Sequence, residues 1–151
     1  MKIAIGCDEA AFDMKELVKR HLTEKGIEVT DCGVYTTDPV LYPDVAVEVS
    51  THVAEGRCDR GMLFCGTGIG MAMTANKVPG IRAAVCHDPF STERSIKSND
   101  AQILCMGARV IAPHLALYLI DIWLECRFTG GPSQEKVDRI LDYERQFGMK
   151  K

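Results

Sequence analysis

The chain has 151 residues, 46% of them apolar and 26% charged, and a formal net charge of −3. That length suits one domain able to bury about two-thirds of its surface, and the interspersed charges lack the basic stripe that a nucleic-acid partner requires. The apolar stretches are too short to span a membrane, and Met1-Lys2-Ile3-Ala4-Ile5-Gly6 runs straight into a strand pattern rather than a signal peptide, so a cytoplasmic protein is expected.

Residues 2–6 are a short apolar run ending at a glycine, which reads as a strand. Residues 11–25 read as a helix with Met14, Leu17, Val18, His21 and Leu22 on one stripe; Lys15, Glu16, Lys19 and Arg20 lie outside it. Gly26 is placed to end this helix, and His21 reads as a helix-boundary residue rather than a ligand. Residues 27–32 alternate as a strand, and residues 33–43 form a loop carrying Asp38-Pro39 and Tyr42-Pro43. Val45, Val49, His52 and Val53 mark a second helix closed near Gly56. A third strand follows over 60–65, a short helix over 68–77 and a fourth strand over 81–86. Asp88-Pro89 is a cap followed by a first-turn proline, opening a helix to about 98. A fifth strand spans 102–106. Helices are expected over 112–126 and 133–147, the last burying Val137, Ile140 and Leu141.

Five strands alternating with helices predict an α/β fold: a doubly wound, Rossmann-like parallel sheet in a three-layer sandwich. Residues 1–151 show no repeat or linker and read as one domain. Ligands bind such sheets at the carboxyl ends of the strands, so the loops after residues 6, 65, 86 and 106 are the places to search.

Seven cysteines are present: Cys7, Cys32, Cys58, Cys65, Cys86, Cys105 and Cys126. Their number is odd and none form a C-x-x-C pair. The four histidines, His21, His52, His87 and His114, do not supply clustered zinc spacings. Free thiols in a reducing compartment are expected, with no metal.

The strongest local signal is Cys65-Gly66-Thr67-Gly68-Ile69-Gly70, between a strand and a helix. Its glycines let backbone N–H groups converge on an anion, and the helix terminus adds positive potential. The same field favours a thiolate at Cys65. A base beside an anion cradle suits enediolate chemistry; a tight turn with a packing cysteine is the plain alternative. A thiol phosphatase needs an arginine where Met71 stands. A dinucleotide fingerprint needs wider spacing and an acidic residue where Cys86, His87 and Asp88 lie, and Asp88 already reads as a cap.

Other candidates are open in the same way. Asp8 and Glu9, in the first loop, suit sugar hydroxyls or a helix N-terminus. Ser98-Asn99-Asp100 is a polar helix end or a binding segment. Arg109 follows the fifth strand, where a cation meets a phosphate or solvent. Lys136 and Arg139 form a charged pair one turn apart on the last helix.

Taken together, these residues resemble the type-B ribose-5-phosphate isomerase family, which includes the galactose-6-phosphate isomerase subunits. The resemblance rests on Gly6-Cys7-Asp8, Tyr42-Pro43-Asp44, the Cys65–Gly70 loop, Ala75-Asn76-Lys77-Val78-Pro79-Gly80-Ile81-Arg82-Ala83 and Gly107-Ala108-Arg109-Val110, and covers nearly the whole chain. It implies an aldose–ketose isomerase of a small phosphorylated sugar, without cofactor or metal. It also implies a homodimer, or a higher even oligomer, with sites shared across the dimer. By resemblance, Cys65 is the base moving a proton between C1 and C2, and Thr67 assists at the sugar oxygens. Gly66, Gly68, Ile69 and Gly70 bind the enediolate; Asp8, Asn99 and Tyr42 line the sugar; and Arg109 binds the phosphate. Some members use a glutamate just after the glycine loop, where Met71 stands here. This chain departs from the pattern in four places. Glu9 and Ser98 replace histidines, the second being the one that helps open the furanose ring. Pro132 and Lys136 replace two phosphate-binding arginines. Without a ring opener, a tetrose phosphate rivals ribose 5-phosphate, and His87 is a possible substitute acid. A sugar-phosphate-binding subunit without activity is the alternative outside enzymology.

Overall fold

A computed structural model describes residues 1–148. The elements run β1 (Lys2–Cys7), α1 (Phe12–Glu24), β2 (Glu28–Asp31), α2 (Tyr42–Ala54), β3 (Arg60–Cys65), α3 (Ile69–Ala75), β4 (Ala83–Val85), α4 (Pro89–Lys97), β5 (Ile103–Gly107), α5 (Pro113–Glu125) and α6 (Gln134–Gly148). Short 3₁₀ turns at Glu9–Ala11 and Gly131–Ser133 precede α1 and α6. The expected alternation is present, with ends displaced by one or two residues. Asp88 caps α4 as expected: its Oδ1 accepts from the Ser91 N–H at 2.8 Å, with Pro89 next in line.

All five strands are parallel, in the order β2-β1-β3-β5-β4. α2 and α3 pack together on one face, and α1, α5 and α4 follow one another across the other. Covering both faces explains why the central strands read as unbroken apolar runs. Ile3, Ile5, Met62, Leu63, Phe64, Ile103, Leu104 and Met106 are all fully buried. The chain leaves β1 toward β2 on one side, then crosses back to place β3 on the other. The loops after β1 and β3 therefore diverge and open a crevice between them.

Two expectations need correction. Lys15 does not lie outside the buried face of α1; it is fully buried. Its Nζ donates to both Asp31 oxygens, at 2.9 and 3.0 Å, and to the Val34 carbonyl at 2.7 Å, and it lies 5.3 Å from the Tyr35 ring centroid. A buried ammonium is tolerated only when it is paired and hydrogen-bonded in this way. On α6, Val137 is buried and Leu141 half-buried, but Ile140 is 45% exposed. The helix leans on the body through Val137 and through Glu144, whose oxygens each accept from the Gly80 N–H at 3.0 Å. That contact turns the face carrying Ile140 outward, beside Tyr143.

Candidate active site

The crevice is floored by the loop that leaves β3. Cys65 is the last residue of that strand and is buried, and its Sγ accepts from the Gly68 N–H at 3.0 Å. The loop holds this shape because Gly68 adopts φ +80°, where a side chain is strained, and a Cβ there would lie 3.0 Å from the Met106 backbone. β5 clamps the loop from its other side: the Ala108 N–H donates to the Cys65 carbonyl at 2.8 Å and the Arg109 N–H to the Gly66 carbonyl at 3.1 Å. Thr67 and Ile69 are exposed, and the Thr67 Oγ1 accepts from the Ile69 N–H at 3.3 Å.

Asp8 stands on the adjacent strand end, its N–H donating to the Phe64 carbonyl at 3.1 Å. Its Oδ1 accepts from the Ala10 N–H at 3.0 Å, so Asp8 also caps the first turn. Burial pushes the Asp8 carboxyl above its ordinary value, the Glu9 charge adds to this, and Arg109 pulls weakly the other way. Arg109 is exposed, and its guanidinium lies 3.5 Å from where a Gly66 Cβ would stand. A cation and a carboxylate thus flank the mouth above Cys65. Glu9 is turned aside, accepting from the Val40 N–H at 3.3 Å. Tyr42, at the start of α2, lays its ring against Gly70.

His87 follows β4 and is half-buried. Its Nε2 accepts from the Gly107 N–H at 2.8 Å, which puts the proton of the neutral ring on Nδ1. Burial holds its pKa below the ordinary value. Gly107 is the register partner of Cys65, so His87 sits one strand away from the thiol.

The remaining candidates lie elsewhere. α4 runs from the carboxyl end of the sheet to its amino end, carrying Ser98 and Asn99 away from Cys65. There the Asn99 carbonyl accepts from Arg82 Nε at 3.1 Å, just before β4 begins. Asn99, Arg82, Arg94, Asn76 and Ile140 line a cleft of about 500 Å³. Lys136 is exposed one turn before Ile140 on α6, in a second, adjoining depression. One chain therefore gathers Asp8, Tyr42, Cys65, Gly66, Thr67, Gly68, Ile69, Gly70, His87 and Arg109 at one end of the sheet. It leaves Ser98 and Asn99 at the far end of α4, with Asn99 on the separate cleft and Lys136 in the depression beside it.

Arg94 was missed as a candidate. Its guanidinium donates to Ser98 Oγ in a short hydrogen bond, four residues apart on α4. The i,i+4 spacing was the available signal.

The sequence model of the Ribose/Galactose Isomerase family matches residues 3–140. A ribose-5-P isomerase B of Listeria innocua serovar 6a is 53% identical over 146 residues, covering 97% of this chain and 99% of its own. A D-erythrulose-4-phosphate isomerase of Pectobacterium atrosepticum is 49% identical over 150 residues and 97% of both chains. Among solved structures, ribose-5-phosphate isomerase B of Clostridium thermocellum superposes with a TM-score of 0.96 at 42% identity, covering 97% of this chain and 99% of that one. The chain, with its five-stranded parallel sheet and its Cys65 loop, belongs to the ribose/galactose isomerase family.

Proposed function

We propose that this protein interconverts the aldose and ketose forms of a small phosphorylated sugar, of the ribose 5-phosphate type, with Cys65 as the base. The observation that carries the reading is the Cys65 sulfur, held by the Gly68 N–H at the head of the glycine-rich loop. The thiolate takes the proton from the carbon beside the carbonyl. The electron pair moves into an enediolate, whose oxygens are met by the amides of Gly66 to Gly70. The Thr67 hydroxyl passes a proton between the two sugar oxygens, and the Cys65 thiol returns its proton to the neighbouring carbon. Arg109 receives the phosphate and Asp8 a sugar hydroxyl. No oxidant or cofactor enters this balance.

Asn99 and Lys136 act on the same substrate only if a second copy brings its cleft to the mouth of the first. The reading therefore includes a dimer whose sites are each built from both chains. Seven reduced thiols fit a cytoplasmic setting, and no helix among the described residues is long and apolar enough to cross a membrane.

The test is solvent exchange. In D₂O the wild type should incorporate deuterium at C1 or C2 of the sugar phosphate. Cys65→Ala should keep its fold and lose exchange by about 10²–10⁴-fold. Near-normal exchange in that variant would remove Cys65 from the role.

A second substrate reading rests on Ser98. Its Oγ is occupied by Arg94, and a hydroxyl does not titrate near neutrality. A four-carbon aldose 4-phosphate cannot close a furanose ring, because the oxygen needed carries the phosphate. A tetrose phosphate would thus need no ring-opening acid.

A further inference from the structure

Between β2 and α2, away from the Cys65 loop, three side chains converge. The Cys32 sulfur, a Glu48 carboxylate oxygen and a His52 ring nitrogen all lie within 4.8 Å of one another. Glu48 and His52 are four residues apart on α2 and share a face. Cys32 is the first residue after β2 and is 6% exposed. Its thiol makes one weak contact, 3.9 Å from the Thr30 carbonyl. The proton-transfer reading uses none of these groups.

Burial, then the Glu48 charge and the nearby Cys58, push the Cys32 thiol up to about 12. The donors are one thiolate, one imidazole and one carboxylate, a set that suits a borderline-soft ion and not calcium or magnesium. Sequence spacing hides the group, because Cys32 stands 16 residues before Glu48.

We infer that Cys32, Glu48 and His52 form a three-ligand site for a zinc-class divalent ion, with water completing a tetrahedron. On binding, Cys32 releases its proton to solvent, and the metal–sulfur bond replaces the S–H bond. The ion then ties the end of β2 to the outer half of α2. Arg57 is its rival: its guanidinium lies 3.0 Å from Nε2 and 3.1 Å from Nδ1 of His52. The same side chain already donates to Glu55 at 2.7 Å and can swing fully onto it.

The experiment titrates metal-stripped protein with Co²⁺ alone, followed by displacement with Zn²⁺. One Co²⁺ per chain should produce visible d–d bands and a near-ultraviolet thiolate-to-cobalt band, both erased by Zn²⁺. Cys32→Ser should abolish the thiolate band, while Cys65→Ser keeps it. His52→Gln and Glu48→Gln should each weaken binding by at least about 10–100-fold, the loss already usual for an outer-sphere partner. Arg57→Ala should tighten it. Zn²⁺ should raise Tm of the wild type but not of His52→Gln, a variant on the half-exposed helix face that serves if Cys32→Ser fails to fold. No thiolate band, a band that survives Cys32→Ser, or a fall in Tm on adding Zn²⁺ to the wild type would overturn the site. None of these readouts depends on isomerase activity.

Discussion

The ring of Tyr42 fills the space that a side chain on Gly70 would need: its phenol oxygen lies 2.6 Å from that Cβ position. The contact joins the start of α2 to the loop that carries Cys65. Gly70→Ala should therefore displace the ring and cost about 1–3 kcal/mol, the usual range for overpacking. Because Tyr42 is 38% exposed, it can move aside, and Tyr42→Ala should recover most of the loss. Urea unfolding of the two single variants and the double variant measures this. Strict additivity would show that the ring does not restrain the loop.

Substrate choice is the sharpest chemical test. We expect kcat/KM to be higher for an aldotetrose 4-phosphate, or for the open ketose ribulose 5-phosphate, than for ring-closed ribose 5-phosphate. Ser98→His should raise turnover of ribose 5-phosphate by adding a group that titrates near neutrality. If the wild type instead prefers ribose 5-phosphate strongly, and His87→Ala destroys that preference, the ring opener has moved to His87.

The His87 contact predicts an acid sensitivity. Its folded pKa lies below the ordinary 6.5, so as pH falls the unfolded chain takes up the proton first. The stability that neutral His87 contributes is therefore present above about pH 6.5 and lost as pH falls toward the lower folded value. Protonation also turns Nε2 into a donor and breaks its bond with the Gly107 N–H. We expect His87→Gln, whose amide oxygen can accept without titrating, to show a flatter stability profile between about pH 5 and pH 8. Identical profiles for the two proteins would contradict this.

A shared site predicts complementation between two damaged chains. Cys65→Ala and Asn99→Ala should each be inactive alone. Unfolded together and refolded at equal amounts, half of the dimers are hybrids. One of the two sites in each hybrid then carries both native residues, so about a quarter of wild-type activity should return. Failure to recover activity, with mixed dimers confirmed by mass, would place each site within one chain.

The central sheet was legible in the sequence because β1, β3 and β5 are covered on both faces and carry almost unbroken apolar runs. The Cys65 loop was legible because strand, glycines and helix follow one another without interruption. Lys15 was not, since its ion-pair partner Asp31 is 16 residues away and belongs to another element. A local periodicity cannot show a buried pair of that kind. Ser98 and Asn99 stand at the opposite end of the sheet from Cys65, which the expected parallel topology already required, since a helix joining two parallel strands runs back along them; the Arg94 contact that occupies Ser98 was not legible. Ile140 misled for a related reason: its spacing marks an apolar stripe, but periodicity does not say whether the body of the same chain covers that stripe.

Lys15 also offers a built-in reporter. Its amine is fully buried and occupied by Asp31 and Val34, so an acylating reagent in water cannot reach it while the helix α1 stays docked. The other lysines described are at least partly exposed and should label at once. Mass-resolved labelling of Lys15 alone would then act as a clock for the opening of the whole molecule, timing rare excursions that leave the bulk signal unchanged.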